Sequence, residues 1–421
     1  MSFGNVPRDF SVSSLSSSRS TASKSINGLF SADIRQVGSL VQYQRSPDIW
    51  VTAPTITVPA TQLGNLYTLP ASINELSLNL DGSTLAVGLA TPAAGSLLSI
   101  LTNTAGFYAQ QVIPLPPDAV ALTYGSVSLS DSGNILAFGS GSDNGGVGAV
   151  WIYLNVAGVW TLQGPKITGP GEIGLGNFGQ QISLSGSGNL LAVSSFSETP
   201  AGAAYIFNLN SPTSPVFVTR IVVSPSLYPN VVFGKDVAFS ADGSTLAVGA
   251  SSTLSTNGPV FIFTKVQTQW QQQAYITIPD GFSTQYFAYN VSLSADGNIL
   301  VVSSSANAVV YYRQGLTGPW SPGNLLPIPF DSVGPSTQSY AIISHDGNSI
   351  CTSGGDNNNN VGASWIFTQG PLGTWTQNGP ALIGTGAPIL ATRQGYSQIS
   401  GNGKVAAVQD NSAQALLWLF V

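Results

Sequence analysis

Few side chains in this 421-residue sequence could carry out acid–base or nucleophilic chemistry. The chain contains one histidine, His345, and one cysteine, Cys351. A Ser-His-Asp triad or a histidine-bound metal would have to use His345, which stands immediately before an Asp-Gly turn. Cys351 stands where Ala or Val occurs in similar stretches, which predicts a small buried side chain. These residues therefore predict no catalytic, cofactor or metal site.

Carboxylates are the remaining candidates for catalysis. A pair of them could supply the acid and base of a hydrolase or lyase. Glu75 and Asp236 are the most interesting, because each stands at the start of an apolar-alternating run. The aspartates of the Asp-Gly turns are instead predicted to cap backbone amides. Other acids outside these turns are Asp118, Glu172, Glu198, Asp280 and Asp331.

Two loops carry an aspartate next to an asparagine. They contain Asp143-Asn144 and Asp356-Asn357, and in each loop Gly or Asn follows. Calcium is usually bound by six to eight oxygens that include several carboxylates, and each loop offers one. We therefore predict no metal at these loops, and interpret them as tips displayed toward a partner.

All of these residues belong to a unit that occurs seven times. Each copy has an apolar-alternating run, a tight glycine turn, a second apolar run, an aromatic run and a fourth short run. Strand-type units with a period near 50 residues are typical of a propeller. We predict an all-β, seven-bladed β-propeller of four-stranded antiparallel blades, in which Glu75 and Asp236 face the central channel. The turn glycines are Gly82, Gly133, Gly188, Gly243, Gly297, Gly347 and Gly403.

The chain ends are predicted to close the ring. Val37–Trp50 aligns without a gap on Val147–Trp160, so residues 37–58 should bring a third and a fourth strand. Residues 395–421 should bring a first, a second and a third strand to the same blade. This closure leaves no open sheet edge in the ring. It also gives one strand too many, so that blade has five strands or one end strand pairs elsewhere.

Residues 1–36 differ from the propeller predicted for residues 37–421. Residues 11–25 are rich in serine and of low complexity, and should not fold alone. The segment is either a loose tail or an extended arm that docks on a partner. The apolar anchors of such an arm would be Phe3, Phe10, Leu15, Ile26, Leu29 and Phe30.

Composition limits the possible partners. Charged residues make up 7% of the chain, against about 25% in typical soluble proteins. The net charge is −6 and no basic cluster occurs, which argues against binding to nucleic acid. No signal peptide and no membrane span are expected.

One aromatic position recurs at the start of the fourth run. It could pack neighbouring blades together, or it could provide one sugar-binding pocket per blade. Its predicted place in the outer strand favours packing. The tryptophans at this position are Trp50, Trp160, Trp270, Trp320 and Trp375.

The units resemble the FG-GAP repeats of integrin-α-type β-propellers. The residues that carry the resemblance are Phe178-Gly179, Phe233-Gly234 and Val248-Gly249-Ala250. Units 1, 5 and 7 lack Phe-Gly at the expected place, and the aspartate-rich calcium loop of that family is missing. Val159–Gly174 and Gly355–Gly386 are more similar still to repeat proteins of bacteria and large DNA viruses. The resemblance implies a propeller over about residues 37–421 and a binding or structural role at a cell or particle surface.

Together these observations predict a non-enzymatic structural or interaction protein without a cofactor. Its specific form would be a component of a virus particle or another large assembly, which binds other proteins of that assembly through the N-terminal arm. It would lie at the virion or particle surface, or otherwise outside the cell or at the cell surface. One alternative is a module that binds a glycan or a host receptor. A less favoured alternative is a propeller hydrolase or lyase with an acidic site in the channel.

Overall fold

The chain forms two compact units, Met1–Val58 and Pro59–Val421. The computed structural model describes residues 22–26, 30–37, 40–45, 49–52, 62, 67–69, 72–91, 95–104, 107–120, 125–252, 257–280, 286–304, 307–327, 340–354, 363–384, 394–410 and 416–421. The first unit contains an antiparallel sheet with the strand order β1 (Ala22–Ile26), β2 (Phe30–Val37), β3 (Leu40–Arg45) and β4 (Ile49–Thr52).

The second unit is a seven-bladed β-propeller, as predicted, and each blade is a four-stranded antiparallel sheet. Strand β5 (Tyr67–Thr68) comes first in the chain. Blade 1 contains β6 Ser72–Leu78, β7 Thr84–Thr91, β8 Gly95–Thr104 and β9 Phe107–Ile113; blade 2 contains β10 Ser126–Leu129, β11 Ile135–Ser140, β12 Ala149–Val156 and β13 Val159–Leu162. Blade 3 contains β14 Ile182–Leu184, β15 Leu190–Ser195, β16 Ala203–Asn208 and β17 Val216–Ile221; blade 4 contains β18 Val231–Phe239, β19 Thr245–Ser252, β20 Val260–Val266 and β21 Gln269–Ile276. Blade 5 contains β22 Val291–Leu293, β23 Ile299–Ser303, β24 Asn307–Tyr312 and β25 Ser321–Pro327; blade 6 contains β26 Tyr340–Ile343, β27 Ser349–Gly354, β28 Ala363–Gln369 and β29 Trp375–Gln377; blade 7 contains β30 Gln394–Ile399, β31 Ala406–Asp410, β32 Leu416–Phe420 and β5.

Helical structure among the described residues is limited to two short turns. These are α1 (Asp143–Gly146) and a 3₁₀ turn at Pro371–Gly373. In the described ranges, therefore, no helix is long and apolar enough to cross a bilayer.

The hairpin that joins the first two strands of each blade has the predicted turn. All seven turn glycines have φ between +65° and +75°, a conformation that a side chain would disfavour. The preceding aspartate caps the turn: Asp81 Oδ1 accepts the Ser83 N–H at 2.9 Å, and Asp242 Oδ1 accepts the Ser244 N–H at 2.9 Å. The predicted capping role of the turn aspartates is confirmed for these residues.

Backbone hydrogen bonds join these seven turns in a circle around the channel. Each turn donates to, or accepts from, the turn of the next blade, and the circle closes between blades 7 and 1. The rigid closed ring thus depends on main-chain atoms that are present in every blade. The bonds run from Leu80 N to Asp131 O, Asp131 N to Gly186 O, Gly186 N to Ala241 O, Asp242 N to Ala295 O, Ala295 N to His345 O, Asp346 N to Gly401 O and Asn402 N to Leu80 O, at 2.8–3.1 Å.

The first and the last strands of the propeller unit meet in blade 7, but the first strand is not the predicted one. Strand β5 pairs with β32 through Leu417↔Tyr67 and Leu416↔Thr68. Residues 37–58 instead supply β3 and β4 to the sheet of the first unit. The alignment of 37–58 recognised a hairpin, which forms locally, whereas its pairing partner depends on long-range packing. Since β5 is the fourth strand of blade 7, the strand surplus disappears, and the propeller unit begins at Pro59 rather than at residue 37.

Apolar clusters fill the seams between blades. The largest fully buried side chains include Trp151, Trp418 and Tyr205. Trp160 and Trp375 are buried in such clusters, and Trp270 and Trp320 pack against others while partly exposed. This arrangement agrees with the packing role predicted for the recurrent tryptophan. Cys351 is buried as predicted.

The Phe-Gly pair locks one blade onto the next. Phe178 is buried, and its N–H donates to Val147 O at 3.0 Å beside the start of β12. Phe233 similarly donates to Ala201 O at 2.7 Å. Gly179 and Gly234 have φ of +88° and +89°. In blade 5 the equivalent pair is Phe287-Ala288, and Ala288 also adopts a positive φ, +72°.

Candidate functional site

A cavity of about 520 Å³ lies inside the ring of first strands, and residues from all seven blades line it. Its volume falls within the range of about 300–1,000 Å³ that is usual for small-molecule sites. Several polar side chains converge on this cavity, and its wall is the candidate site.

One residue per blade forms a ring of polar side chains in this wall. Each member stands seven positions before the turn glycine of its blade, at the start of the first strand. We call these residues the polar ring. Six of them line the cavity, whereas the Ser126 hydroxyl donates to Gly179 O at 2.8 Å in the seam. The polar ring consists of Glu75, Ser126, Gln181, Asp236, Asn290, Tyr340 and Tyr396.

The prediction that Glu75 and Asp236 face the channel is confirmed, and both carboxylates also hold neighbouring blades together. Glu75 Oε2 accepts the N–H of Val127 in blade 2 at 3.2 Å. Asp236 Oδ2 accepts the N–H of Val291 in blade 5 at 2.8 Å, and Asp236 Oδ1 accepts the Val237 N–H at 2.9 Å. Glu75 and Asp236 therefore each fix the first strand of the next blade.

Burial raises the pKa of both carboxyl groups. Burial, together with the negative charge of Asp236, raises the pKa of Glu75 well above its usual range. Burial likewise raises the pKa of Asp236 to about 6, against hydrogen bonds from Val291, Val237 and Asn290. Acids that titrate near neutral pH can serve in general acid–base catalysis. Burial also raises the pKa of Tyr340 and of Tyr396, whose hydroxyls hydrogen-bond to each other.

A second group of side chains surrounds the cavity next to the polar ring. We call it the mouth group: Asn74, Gln180, Phe196, Lys235 and Tyr289 all line the cavity. The Lys235 ammonium lies 4.0 Å from the centre of the Phe196 ring and 5.9 Å from that of Tyr289. Burial lowers the pKa of Lys235. The buried Asn74 Nδ2 has no hydrogen-bond partner among the described residues.

The structure describes one of the two predicted display loops, and only part of that prediction holds. Asn144 is exposed, but Asp143 is buried, with its Oδ2 2.6 Å from Lys166 Nζ and its Oδ1 accepting the Val120 N–H at 2.7 Å. The prediction that Asp143 is displayed is therefore wrong, because a desolvated carboxylate needs such partners. Asp356 and Asn357 lie outside the described residues.

The predicted apolar anchors of the N-terminal arm cannot be assigned contacts. Phe3, Phe10, Leu15 and Leu29 lie outside the described residues. Ile26 ends β1 and Phe30 begins β2, but the structure does not describe their side chains. The docking role of all six residues stays a prediction.

Two further acids support the loops around the cavity. Glu198 accepts hydrogen bonds from the Arg220 guanidinium, the Tyr205 hydroxyl and the Ile173 N–H. Glu172 Oε1 accepts the Gly176 N–H at 2.9 Å and the Ser195 hydroxyl at 3.1 Å. Burial raises the pKa of Glu172 to about 7. These acids brace residues 172–176 against the blade 3 loop.

Among the remaining chemical candidates, His345 also lines the cavity. The His345 Nδ1 lies 2.8 Å from Asp131 Oδ1, where the hairpin turns surround the channel. Asp118 Oδ1 accepts the Trp151 indole N–H at 2.8 Å, which makes it a structural acceptor. Asp280 is exposed, and Asp331 lies outside the described residues. Across the described ranges, no group of three His, Cys, Asp or Glu side chains is placed to hold a metal ion.

The polar ring as a set, and the whole mouth group, were not predicted from the sequence. The ring had a readable signal, because the position seven residues before each turn glycine is polar in every unit although the rest of the strand is repetitive. The mouth group had no such signal. Phe196 comes from a blade 3 loop and Lys235 from blade 4, so only the folded ring brings them together.

Comparison of the sequence with models of protein families and with curated proteins found no match. Solved structures of similar fold include the Cps50 (Swd1) β-propeller domain of Myceliophteria thermophila, with 14% identity, TM-score 0.61, and coverage of 86% of this chain and 100% of that one. The periplasmic gluconolactonase of Pseudomonas aeruginosa has 16% identity and a TM-score of 0.53 over 79% of this chain and 90% of its own. Hydrazine synthase of Kuenenia stuttgartiensis has 12% identity and a TM-score of 0.54 over 84% of this chain and 97% of its own. At these identities the likeness establishes the propeller fold alone, a fold that hosts enzymes and non-enzymes.

Proposed function

We propose that this chain is a non-enzymatic interaction protein, in which a rigid propeller presents binding surfaces. The observation that carries the proposal is the use of the channel acids. Glu75 and Asp236, the pair best placed for catalysis, each direct an oxygen to a backbone N–H of the next blade. A carboxylate held in this way stabilises the ring and is less available to a substrate.

The loops beside the channel suit a presenting role. Ile173 and Leu175 are 53% and 59% exposed, although both lie in a braced segment. The Asn177 N–H donates to Gly146 O at 2.9 Å, and the Ser197 N–H donates to Gly176 O at 3.1 Å. Three loops therefore support one another, so a partner could dock there with a small loss of conformational entropy.

In its specific form, the protein is a component of a virus particle or another large assembly. The unit Met1–Val58 attaches it to other proteins of that assembly, and the propeller faces outward. The low content of charged residues and the resemblance to FG-GAP repeats and to repeat proteins of bacteria and large DNA viruses support this form.

Gradient sedimentation of extracts from the native source tests this proposal. The full chain should sediment with a large assembly, and a variant that lacks residues 1–58 should sediment as a free, folded propeller. Ellipticity and melting temperature of the purified variant provide the folding control. The proposal is wrong if the full chain sediments as a free 43.4 kDa monomer.

A second candidate function is binding of a glycan or a receptor, and the mouth group favours it. A cavity of suitable volume, two aromatic rings and amide side chains meet at one place. A glycan array with the purified chain tests this candidate. The third candidate, a hydrolase or lyase, is favoured by the raised pKa of Glu75 and of Asp236. If the chain is such an enzyme, Glu75→Gln should abolish turnover of a glycoside substrate while the chain stays folded.

A further inference from the structure

Lys235 lines the cavity and forms no ion pair among the described residues. The described ion pairs join Lys166 to Asp143, Arg220 to Glu198 and His345 to Asp131, and none includes Lys235. The ammonium is partly buried in the cavity wall, so water screens it less than it would on an open surface. A partly desolvated charge of this kind gains free energy when it pairs with an anion.

Aromatic rings hold this ammonium in place. Its 4.0 Å distance from the Phe196 ring centre and its 5.9 Å distance from the Tyr289 ring centre both fall within the range of cation–π attraction. The Phe196 loop follows β15, whose residue Ser195 hydrogen-bonds to Glu172. The charge is therefore fixed before any ligand arrives, which lowers the entropy cost of binding.

A neutral donor faces the same cavity. The Asn74 Nδ2 group is buried, and it has no hydrogen-bond partner among the described residues. A buried donor without an acceptor destabilises the fold, and an acceptor supplied by a ligand removes that cost. Asn74 stands next to Glu75 on blade 1, and Lys235 stands next to Asp236 on blade 4, so these donors approach the cavity from different blades.

Among the described residues, the acids in the wall form no ion pair with Lys235. The Asp236 carboxylate accepts two backbone N–H groups and the Asn290 amide N–H, which stabilise its charge within the seam. Burial favours the neutral form of Glu75. The anion-binding character of the mouth therefore belongs to Lys235, with Asn74 as a hydrogen-bond donor.

We propose that the channel mouth binds a small organic carboxylate, which pairs with the Lys235 ammonium, while the Asn74 amide is a further donor in the same cavity wall. The inference rests on the second candidate function above and names its ligand class. A glycan with an acidic sugar and a free organic acid both present this chemistry.

Titration calorimetry on the full chain, with three probes, tests the proposal. Glucuronate is an acidic sugar, glucose is its neutral counterpart, and succinate is an organic acid that is not a sugar. Glucuronate should bind at least about tenfold more tightly than glucose, as expected for one charge-assisted hydrogen bond. Equal binding of succinate would identify a free acid as the ligand source, and preference for glucuronate would identify an acidic glycan.

Variants locate the interaction. Lys235→Met retains the length of the side chain but should lose about tenfold in affinity for glucuronate, whereas Lys235→Arg should retain binding. Lys265→Met, at an exposed position of β20 away from the cavity, is the matched control. Unchanged melting temperatures confirm that the variants fold.

Three results would overturn the inference. These are no binding of glucuronate or succinate up to about 10 mM, equal affinity for glucuronate and glucose, and full affinity in Lys235→Met. Tight binding of neutral glycans alone would reject the carboxylate but retain the glycan-binding function. Lack of binding to every glycan on the array, together with no binding of glucuronate or succinate, would reject both.

Discussion

The Phe-Gly pair gives the sharpest prediction, because one blade provides a natural counterexample. Gly234 has a φ of +89°, and a Cβ added to it would lie 2.7 Å from Ala203 O. At the same place in blade 5, Ala288 already carries a Cβ at a φ of +72°. We therefore expect Gly234→Ala to destabilise the propeller and Ala288→Gly to stabilise it.

The magnitudes follow from backbone strain and from the contact. A left-handed conformation costs a residue with a Cβ about 1–2 kcal/mol, and the close approach to the Ala203 carbonyl adds a similar amount. Replacing glycine by alanine also lowers the entropy of the unfolded chain, which offsets about 0.4–1 kcal/mol. Gly234→Ala should thus lower the free energy of unfolding by about 1–3.5 kcal/mol. For Ala288→Gly, relief of about 1–2 kcal/mol is offset by the same about 0.4–1 kcal/mol, which leaves a net gain of about 0–1.6 kcal/mol.

Urea denaturation followed by tryptophan fluorescence measures both variants against the parent chain. The midpoint should fall in Gly234→Ala and rise slightly in Ala288→Gly, at an unchanged slope. Equal midpoints in all three proteins, or a loss of stability in Ala288→Gly, would refute the reasoning. In that case the Phe-Gly pair would not be a lock between blades.

Three further predictions concern closure, acidity and docking. A chain without residues 1–58 should keep its melting temperature. A chain without residues 1–69 should melt several degrees lower, because it lacks β5 and the buried Leu69. Equal melting temperatures of the two variants would contradict closure of blade 7 by β5. The folded-state pKa of Glu172 is raised to about 7, so its stabilising contribution is complete below about pH 4.5 and is lost as pH rises toward about 7. After allowance for solvent screening, the parent chain should lose about 1 kcal/mol of stability between about pH 5 and about pH 8 through Glu172, and Glu172→Gln should not show this loss. Urea midpoints at the two pH values measure the difference, and identical pH profiles of the two proteins would exclude this role of Glu172. Replacing both Ile173 and Leu175 by Ser should change stability by less than about 0.5 kcal/mol yet weaken partner binding in a pull-down assay; undiminished binding would exclude this surface.

Most of the fold could be predicted from local sequence patterns. The Asp-Gly turn at Gly82 and its six equivalents requires a positive φ, so the hairpins can be read directly from the sequence. The strand that completes blade 7 could not be predicted from a local pattern of this kind. Residues 37–58 form a hairpin, but which sheet that hairpin joins depends on distant side chains such as Leu417, which lies in one apolar cluster with Leu69.

The candidate site was less predictable, for a physical reason. The position of Glu75 and Asp236 on the channel follows from their place on the innermost strand. Their hydrogen bonds to Val127 and Val291 depend on how adjacent blades are offset, which no single repeat records. The Lys235–Phe196 contact joins two blades through a loop without a repeat pattern.

Cross-linking mass spectrometry on the assembly isolated from the native source tests the central claim most directly. Lys24 lies in strand β1 of the first unit, and amine-reactive reagents can report its neighbours. If the chain is an interaction protein anchored by this unit, Lys24 should form reproducible cross-links to one other protein species, and propeller lysines should not. Cross-links from Lys24 only to residues of the same chain, in a protein that sediments alone, would contradict the account.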